Sequence, residues 1–298
     1  LGEYKVPVII LSATLPEKRR EELIGAYLKR KIGKDEPWKK NRGYPLLTWT
    51  DGEEVCQEVI KAGTAEKTVA IHKLPDENGL THLLKCKLAE GGCAGVIVNT
   101  VNRAQTIAQL IRTDMLMPDR AEKEHELLSL IGKNSTAEQR NNLIVVGTQV
   151  LEQSLDIDFD LMVTDLCPMD LLLQRMGRLH RHTKRNAERP PLVRDAECYV
   201  MGTADEPEGG SKAIYGEWLL YRTRQLLPNQ IVLPTDIPNL VQDTYEEPDA
   251  SADEAAMNLW NDFKEKQVIK QSKADAFKLR EPNRRGGITG ILDTEFPD

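Results

Sequence analysis

Residues 142–166 read NLIVVGTQVLEQSLDIDFDLMVTDL, and their pattern decides the fold. Two apolar runs rich in β-branched residues, 142–148 and 161–166, flank a short polar segment. Neither run alternates polar with apolar residues, which fits strands covered on both faces of a parallel sheet. Working outward, AGVIVNT (94–100), ECYVMG (197–202) and VPVIIL (6–11) read the same way. Helical spacing fills intervals at 102–113 and 120–132, and a capping box of Thr14 and Glu17, with Pro16 in its first turn, opens another helix. Strands alternating with helices predict an α/β class, a parallel sheet flanked by helices with right-handed crossovers.

The 298 residues are 40% hydrophobic and 29% charged, an ordinary globular mix. No apolar run reaches the roughly 20 residues that span a bilayer, so no membrane is expected. The opening LGEYKVPVIILSATLP lacks a signal-peptide pattern, and the five cysteines form no CxxC pair. A reducing cytoplasm is therefore expected, with Cys167 and Cys198 as packing residues. Net charge is −7, which argues against a protein coated with nucleic acid over its whole surface. Yet 175–194 holds seven Lys or Arg against Glu188 alone, a local cationic patch suited to a polyanion.

Composition changes after residue 202. The stretch 203–212 is turn-forming, 213–233 reads as a helix plus a short apolar segment, and 234–256, acidic and Pro-bearing, reads as a linker. A helix then leads into a closing loop and strand at 281–298. Between the helices ending near Thr113 and starting near Arg120 no strand is legible, so residues near 113–117 are expected to be absent from the sequence.

Four strand ends carry candidate chemistry. Ser12 and Thr14 follow an apolar run, where parallel sheets meet their ligands. Asn99 and Thr100 open a helix whose N-terminal amides suit a DNA phosphate. Thr148 and Gln149 end another strand, and Asp156 follows, able to bond a ribose hydroxyl or position arginines. Asp158 and Asp160 are expected to be solvated. Gln174, Arg178 and Arg181, spaced by four and three, are expected on one helical face, with Arg175 on another. Arginine stays charged and grips two phosphate oxygens at once, so the pair matches a γ-phosphate. Gly177 would allow its close approach, while His180 and His182 point apart and suit no metal.

The segments LSATLP, IVNTVNRAQ, VVGTQVLEQSLDID and QRMGRLHRH resemble, in order, motifs III to VI of superfamily-two helicases. The wording of 149–182 is similar to the CRISPR-associated helicase-nuclease family of type I interference systems. The resemblance implies RecA-like lobes with ATP and Mg²⁺ between them, single-stranded DNA across both, an HD nuclease using a divalent transition metal, and a CRISPR surveillance complex as partner. It makes Arg178 and Arg181 arginine fingers and sets Asp156 and Gln174 beside the nucleotide. Asn99, Thr100, Thr148 and Gln149 would meet DNA, and Ser12 and Thr14 would couple hydrolysis to movement.

Departures shape the domain expectation. No GxxxxGK[ST] loop or nuclease-type His-Asp cluster occurs, and DEAA at 253–256 follows the last motif, where no acidic box belongs. The chain is thus expected to hold the end of a first lobe (1–15), a second lobe (16–233), the linker and the start of a C-terminal accessory domain (257–298). With the first lobe and HD domain missing, it should neither hydrolyse ATP nor cut DNA alone. Another superfamily-two motor of restriction or repair, or a non-catalytic docking piece, are the rival readings.

Overall fold

The computed structural model describes residues 2, 6–61, 63, 65–74, 76–115, 124–152, 156–204, 209–249 and 252–277. It divides into two compact units, residues 1–247 and 248–298. The first runs α1 (Glu17–Leu28), β1 (Leu46–Asp51), β2 (Glu54–Val59), β3 (Lys67–Leu74), α2 (Leu80–Lys87), β4 (Cys93–Ile97), α3 (Val101–Met115), α4 (Glu124–Ile131) and β5 (Leu143–Gly147). It continues with β6 (Leu161–Asp165), α5 (Met169–Met176), β7 (Glu197–Met201), α6 (Gly209–Tyr215), α7 (Glu217–Leu226), β8 (Gln230–Leu233) and α8 (Ile237–Tyr245). The second unit holds α9 (Glu254–Ala276), whose N-cap Asp253 accepts from the Ala256 amide at 2.7 Å.

Six strands form one sheet in the order β5-β4-β6-β7-β3-β8. Five are parallel, and β8 runs antiparallel along β3. β4 and β6 are buried at every residue, as their unbroken apolar runs predict. Met162, Cys198 and Val200 pack with α5, α7 and α8 on one face. Leu161, Val163, Tyr199 and Met201 pack with α2 and α3 on the other. From β4 the chain continues to β5 on one side, and from β6 to β7 on the other. The crevice at the carboxyl ends of β4 and β6 is therefore the topological switch point, where such sheets bind ligands.

Several expectations need correction. The segment 6–11 forms no strand, and Val6, Val8, Ile9, Ile10 and Leu11 are exposed, because no described strand offers it hydrogen-bond partners. The Thr14 capping box is not formed: Pro16 stands at the α1 N-cap, and the Glu17 amide donates instead to Gln242 Oε1 at 2.9 Å. The stretch 234–256 is not wholly a linker. Its middle is α8, whose Val241 joins the core beside Ile237, Leu240 and Tyr245, apolar spacing that outweighs the acidic composition. Residues 209–212, expected as turn, open α6. Two elements are additional: β3, whose Val69 and Ile71 are buried between lysines, and the β1–β2 hairpin. α3 and α4 follow one another with no described strand between them, α3 giving Ile107 and Ile111 to one core and α4 giving Ile131 to the other. The question of residues near 116–117 and the expected loop and strand at 281–298 lie outside the described residues.

Candidate functional site

The switch-point crevice is held together from below by Arg175. Its side chain is 0% exposed and Glu152's 2%, with Nε 2.7 Å from Glu152 Oε2. Arg175 Nη1 donates to Thr164 Oγ1 at 2.7 Å and Nη2 to Asn99 Oδ1 at 3.0 Å. Asn99 Nδ2 donates in turn to the Leu166 carbonyl and to Ser211 Oγ, each at 2.8 Å. Gln149 Nε2 reaches the Asn99 carbonyl at 3.4 Å and Tyr215 Oη at 3.1 Å. Thus the ends of β4, β5 and β6 and the body of α5 share one buried polar network.

Asn99 is 1% exposed and its amide is fully engaged, so its side chain is not a surface contact for DNA; this corrects the sequence expectation. Its backbone amide is committed as well, donating to Asp165 Oδ2 at 3.0 Å. Thr100 Oγ1 accepts from the Arg103 amide at 3.2 Å, capping α3. Arg103 Nε sits 2.8 Å from Asp165 Oδ1. A cation in the first turn opposes the helix dipole, and that sequence signal called for a carboxylate partner. Thr148 is half-buried with no side-chain cap bond. Ser12 is exposed and turns its hydroxyl onto the Thr14 carbonyl at 2.6 Å; among the described residues nothing ties Ser12 or Thr14 to the network.

Gln174, Arg178 and Arg181 do not share a helical face. α5 stops at Met176, and Gly177 has an ordinary backbone (φ −62°, ψ −16°). Beyond it the chain pairs with Phe159, whose amide donates to the Arg178 carbonyl at 2.8 Å while the His180 amide donates to Phe159 at 3.0 Å. Arg178 thus lies in the turn just past α5, its amide still donating to the Arg175 carbonyl at 2.8 Å, and Arg181 lies beyond the pairing with Phe159, outside any helix. Arg178 Nη2 donates to the Glu152 carbonyl at 2.8 Å, and its buried Nε has no partner among the described residues. Arg181 Nε donates to Asp156 Oδ1 at 2.8 Å, and its amide donates to Asp158 Oδ1 at 2.7 Å. Burial first, then the Arg181 charge, lowers the Arg178 pKa, so the two guanidiniums feel one another. His182 Nε2 comes within 3.3 Å of Asp156 Oδ1 without hydrogen-bond alignment. Asp156 also lines an open cavity of about 460 Å³ with Ser129, Lys133, Asn134 and Gln139. Gln174 is half-buried at the end of α5.

Asp158 and Asp160, expected in solvent, are buried. Arg189 Nη2 donates to both Asp158 oxygens at 3.0 Å, and Nη1 bonds Asp160 Oδ1. Arg140 Nη2 lies 3.0 Å from Asp160 Oδ1, and Arg185 Nε 3.5 Å from Asp158 Oδ2. Burial alone would raise the Asp160 pKa, but Arg140 and then Arg189 hold it below the usual carboxylate range. The cationic run 175–194 is consequently only partly at the surface: Arg175, Arg185 and Arg189 are buried against acids that lie far off in sequence, while Arg181, Lys184 and Arg194 are exposed. Among the described residues no group of three or more His, Cys, Asp or Glu is placed to hold a metal ion.

The family described as CRISPR-associated nuclease/helicase Cas3, C-terminal, matches residues 90–184, which contain every element of this network except Ser211 and Tyr215. The chain is 38% identical over 310 aligned positions to the Streptococcus thermophilus CRISPR-associated nuclease/helicase Cas3, covering 95% of this chain and 32% of that protein. Over the length it shares with them, the chain is similar to the Cas3 nuclease/helicases. It spans about a third of the length of the curated relative it matches there, 32%. The solved structure of T. fusca Cas3 with AMPPNP superposes with a TM-score of 0.81 at 27% identity, over 100% of this chain and 38% of that one. A chain of a pre-nicking CRISPR RNA-guided surveillance complex gives 0.77 at 27% identity, over 94% of this chain and 38% of that one. The mostly parallel six-stranded sheet flanked by helices is thus the fold of Cas3 helicase structures.

Proposed function

We propose that this chain is the second RecA-like lobe of an ATP-driven single-stranded-DNA translocase that, with an HD nuclease using divalent transition metals, degrades invader DNA in type I CRISPR interference. The surveillance complex is the partner this reading assigns to the whole protein. One observation carries the reading: Arg178 and Arg181 stand together on the turn and short segment that follow α5, and among the described residues the buried Nε of Arg178 has no partner. An unpaired guanidinium nitrogen calls for an acceptor oxygen, and phosphate oxygens fit that donor set. ATP with Mg²⁺ supplies the phosphoanhydride whose hydrolysis drives movement.

The chain's own residues divide the work. Arg178 and Arg181 neutralise charge building on the γ-phosphate, Asp156 orients Arg181 and borders the ribose, and Gln174 borders the attacking water. Thr100, Thr148 and Gln149 face the DNA backbone, and Ser12 and Thr14 link the two lobes. The linker and accessory-domain roles of 246–256 and 257–298 belong to the same proposal. This chain alone hydrolyses no ATP, because its sequence holds no phosphate-cradling GxxxxGK[ST] loop.

The test is DNA-stimulated ATPase of the full-length protein with Arg181→Ala. Hydrolysis should fall on the order of 10³-fold with single-stranded DNA binding retained. Unchanged hydrolysis would show that the arginines bind something else.

A further inference from the structure

Lys67 opens β3, outside every helicase-like segment of the sequence, yet its ammonium lies beneath the turn that carries the arginine pair. Nζ donates to the Met176 carbonyl at 3.1 Å and also bonds the Leu179 carbonyl. Met176 is the last residue of α5, at the negative end of the helix dipole, and its carbonyl also accepts from the Leu179 amide at 3.1 Å. Among the described residues no carboxylate pairs with Lys67, so main-chain oxygens are what hold its charge. Between the two clamped carbonyls lie Gly177 and Arg178, and Arg181 follows two residues after the second. The turn is held from its other side by Phe159, which pairs with Arg178 and His180.

We propose that Lys67 is a positioning residue for hydrolysis: it clamps the 176–179 turn from the strand side and thereby sets where Arg178 and Arg181 point. The clamp rests on the reading of those arginines as ligands of the γ-phosphate. Lysine, not a neutral residue, is needed because one clamped oxygen, that of Met176, ends a helix. The charged and titratable groups that face it are Asp158 on the paired segment, Arg189 and Arg181 beyond it, and the neutral Cys198 thiol on β7. Burial is the largest influence and brings its pKa down to about 8. Lys67 therefore loses its charge as pH rises through about 8, where the clamp weakens.

The test uses the full-length protein and its DNA-stimulated ATPase, comparing wild type with Lys67→Met, Lys67→Arg and Arg181→Ala across about pH 6.5 to 9.5. Lys67→Met should lower kcat about ten-fold while KM for ATP and the Kd for single-stranded DNA move less than about two-fold. Lys67→Arg should restore most of the neutral-pH rate and abolish the fall above pH 8, since arginine does not titrate there. A kcat within about two-fold of wild type in Lys67→Met, beside an inactive Arg181→Ala, overturns the clamp alone. So does a Lys67→Arg protein with the wild-type alkaline fall. If Arg181→Ala hydrolyses normally, the arginine reading fails and takes the clamp with it. Should Lys67→Met not fold, as a thermal melt would show, the alkaline limb of Lys67→Arg decides.

Discussion

Arg175 and Glu152 form an ion pair of 2.7 Å that is closed to solvent on both sides, and it joins α5 to the turn after β5. Three of Arg175's nitrogens have acceptors: Glu152 for Nε, Thr164 for Nη1, Asn99 for Nη2. Burying two charges costs several kcal/mol each, and only such complete pairing offsets it. The consequence is structural rigidity beneath the switch point. The residues that face the crevice sit on a base whose polar groups have one satisfied arrangement.

Removing Arg175 should therefore cost far more than an exposed arginine would. Arg175→Ala leaves Glu152 charged and unpaired in the interior, and about 3–5 kcal/mol of stability should be lost in urea unfolding. The double change with Glu152→Ala should cost less than the sum of the singles, by about 1–3 kcal/mol. Strict additivity would show that the pair is not coupled.

Asn99 and Thr148 both end strands beside the crevice, but the structure separates their roles. Asn99→Ala removes an acceptor from Arg175 and donors to Leu166 and Ser211, so it should destabilise by about 1–3 kcal/mol. Thr148→Ala breaks no cap hydrogen bond and should change stability by less than about 0.5 kcal/mol. If Thr148 faces the DNA backbone, its loss should weaken single-stranded DNA binding equally for all sequences. Paired unfolding and binding titrations on the two variants would read out the contrast.

Much of the sheet is legible from unbroken apolar runs, since β4, β5, β6 and β7 each carry one. β3 is hidden because Lys67, His72 and Lys73 interrupt its pattern, although Val69 and Ile71 are buried. The hairpin had a signal in Gly52, a glycine at the first position of its two-residue turn Gly52-Glu53. The site is less legible, for a physical reason. Spacing places Gln174, Arg178 and Arg181 on one face only if the helix continues, and a tertiary pairing with Phe159 ends it. Likewise, Arg185 and Arg189 look like surface charge until Asp158 and Asp160 fold against them. Both depend on partners about twenty to thirty residues away, which local pattern cannot report.

Gly52 tests the hairpin. It has φ +59°, a left-handed value, and nothing lies within 4 Å of an added Cβ. Steric space is free, so backbone preference alone decides. Gly52→Asn should be nearly neutral, while Gly52→Val should cost about 1–2 kcal/mol. Equal stability of the two variants would mean that the turn relaxes to another form.

His180 gives the fold an acid-sensitive point. Its backbone is also left-handed (φ +47°), and its Nε2 lies 3.0 Å from the Asp160 carbonyl, which can only accept, so the neutral ring holds its proton there. Burial, reinforced by the Arg189 charge, lowers its pKa from 6.5 to about 4. The unfolded chain then binds a proton as pH falls through 6.5, while the folded protein does so only near 4. Stability from His180 is therefore complete above 6.5 and is lost between 6.5 and about 4, with a slope of at most about 1.4 kcal/mol per pH unit. Asp160 acts in the same direction at lower pH, because its pKa is held below the usual range. His180→Asn keeps a donor, and asparagine tolerates this backbone region. Urea unfolding of that variant should show a flatter pH dependence from 6.5 to 4 than wild type, with the Asp160 contribution still present below. Parallel curves for the two proteins would mean that another group carries the acid sensitivity.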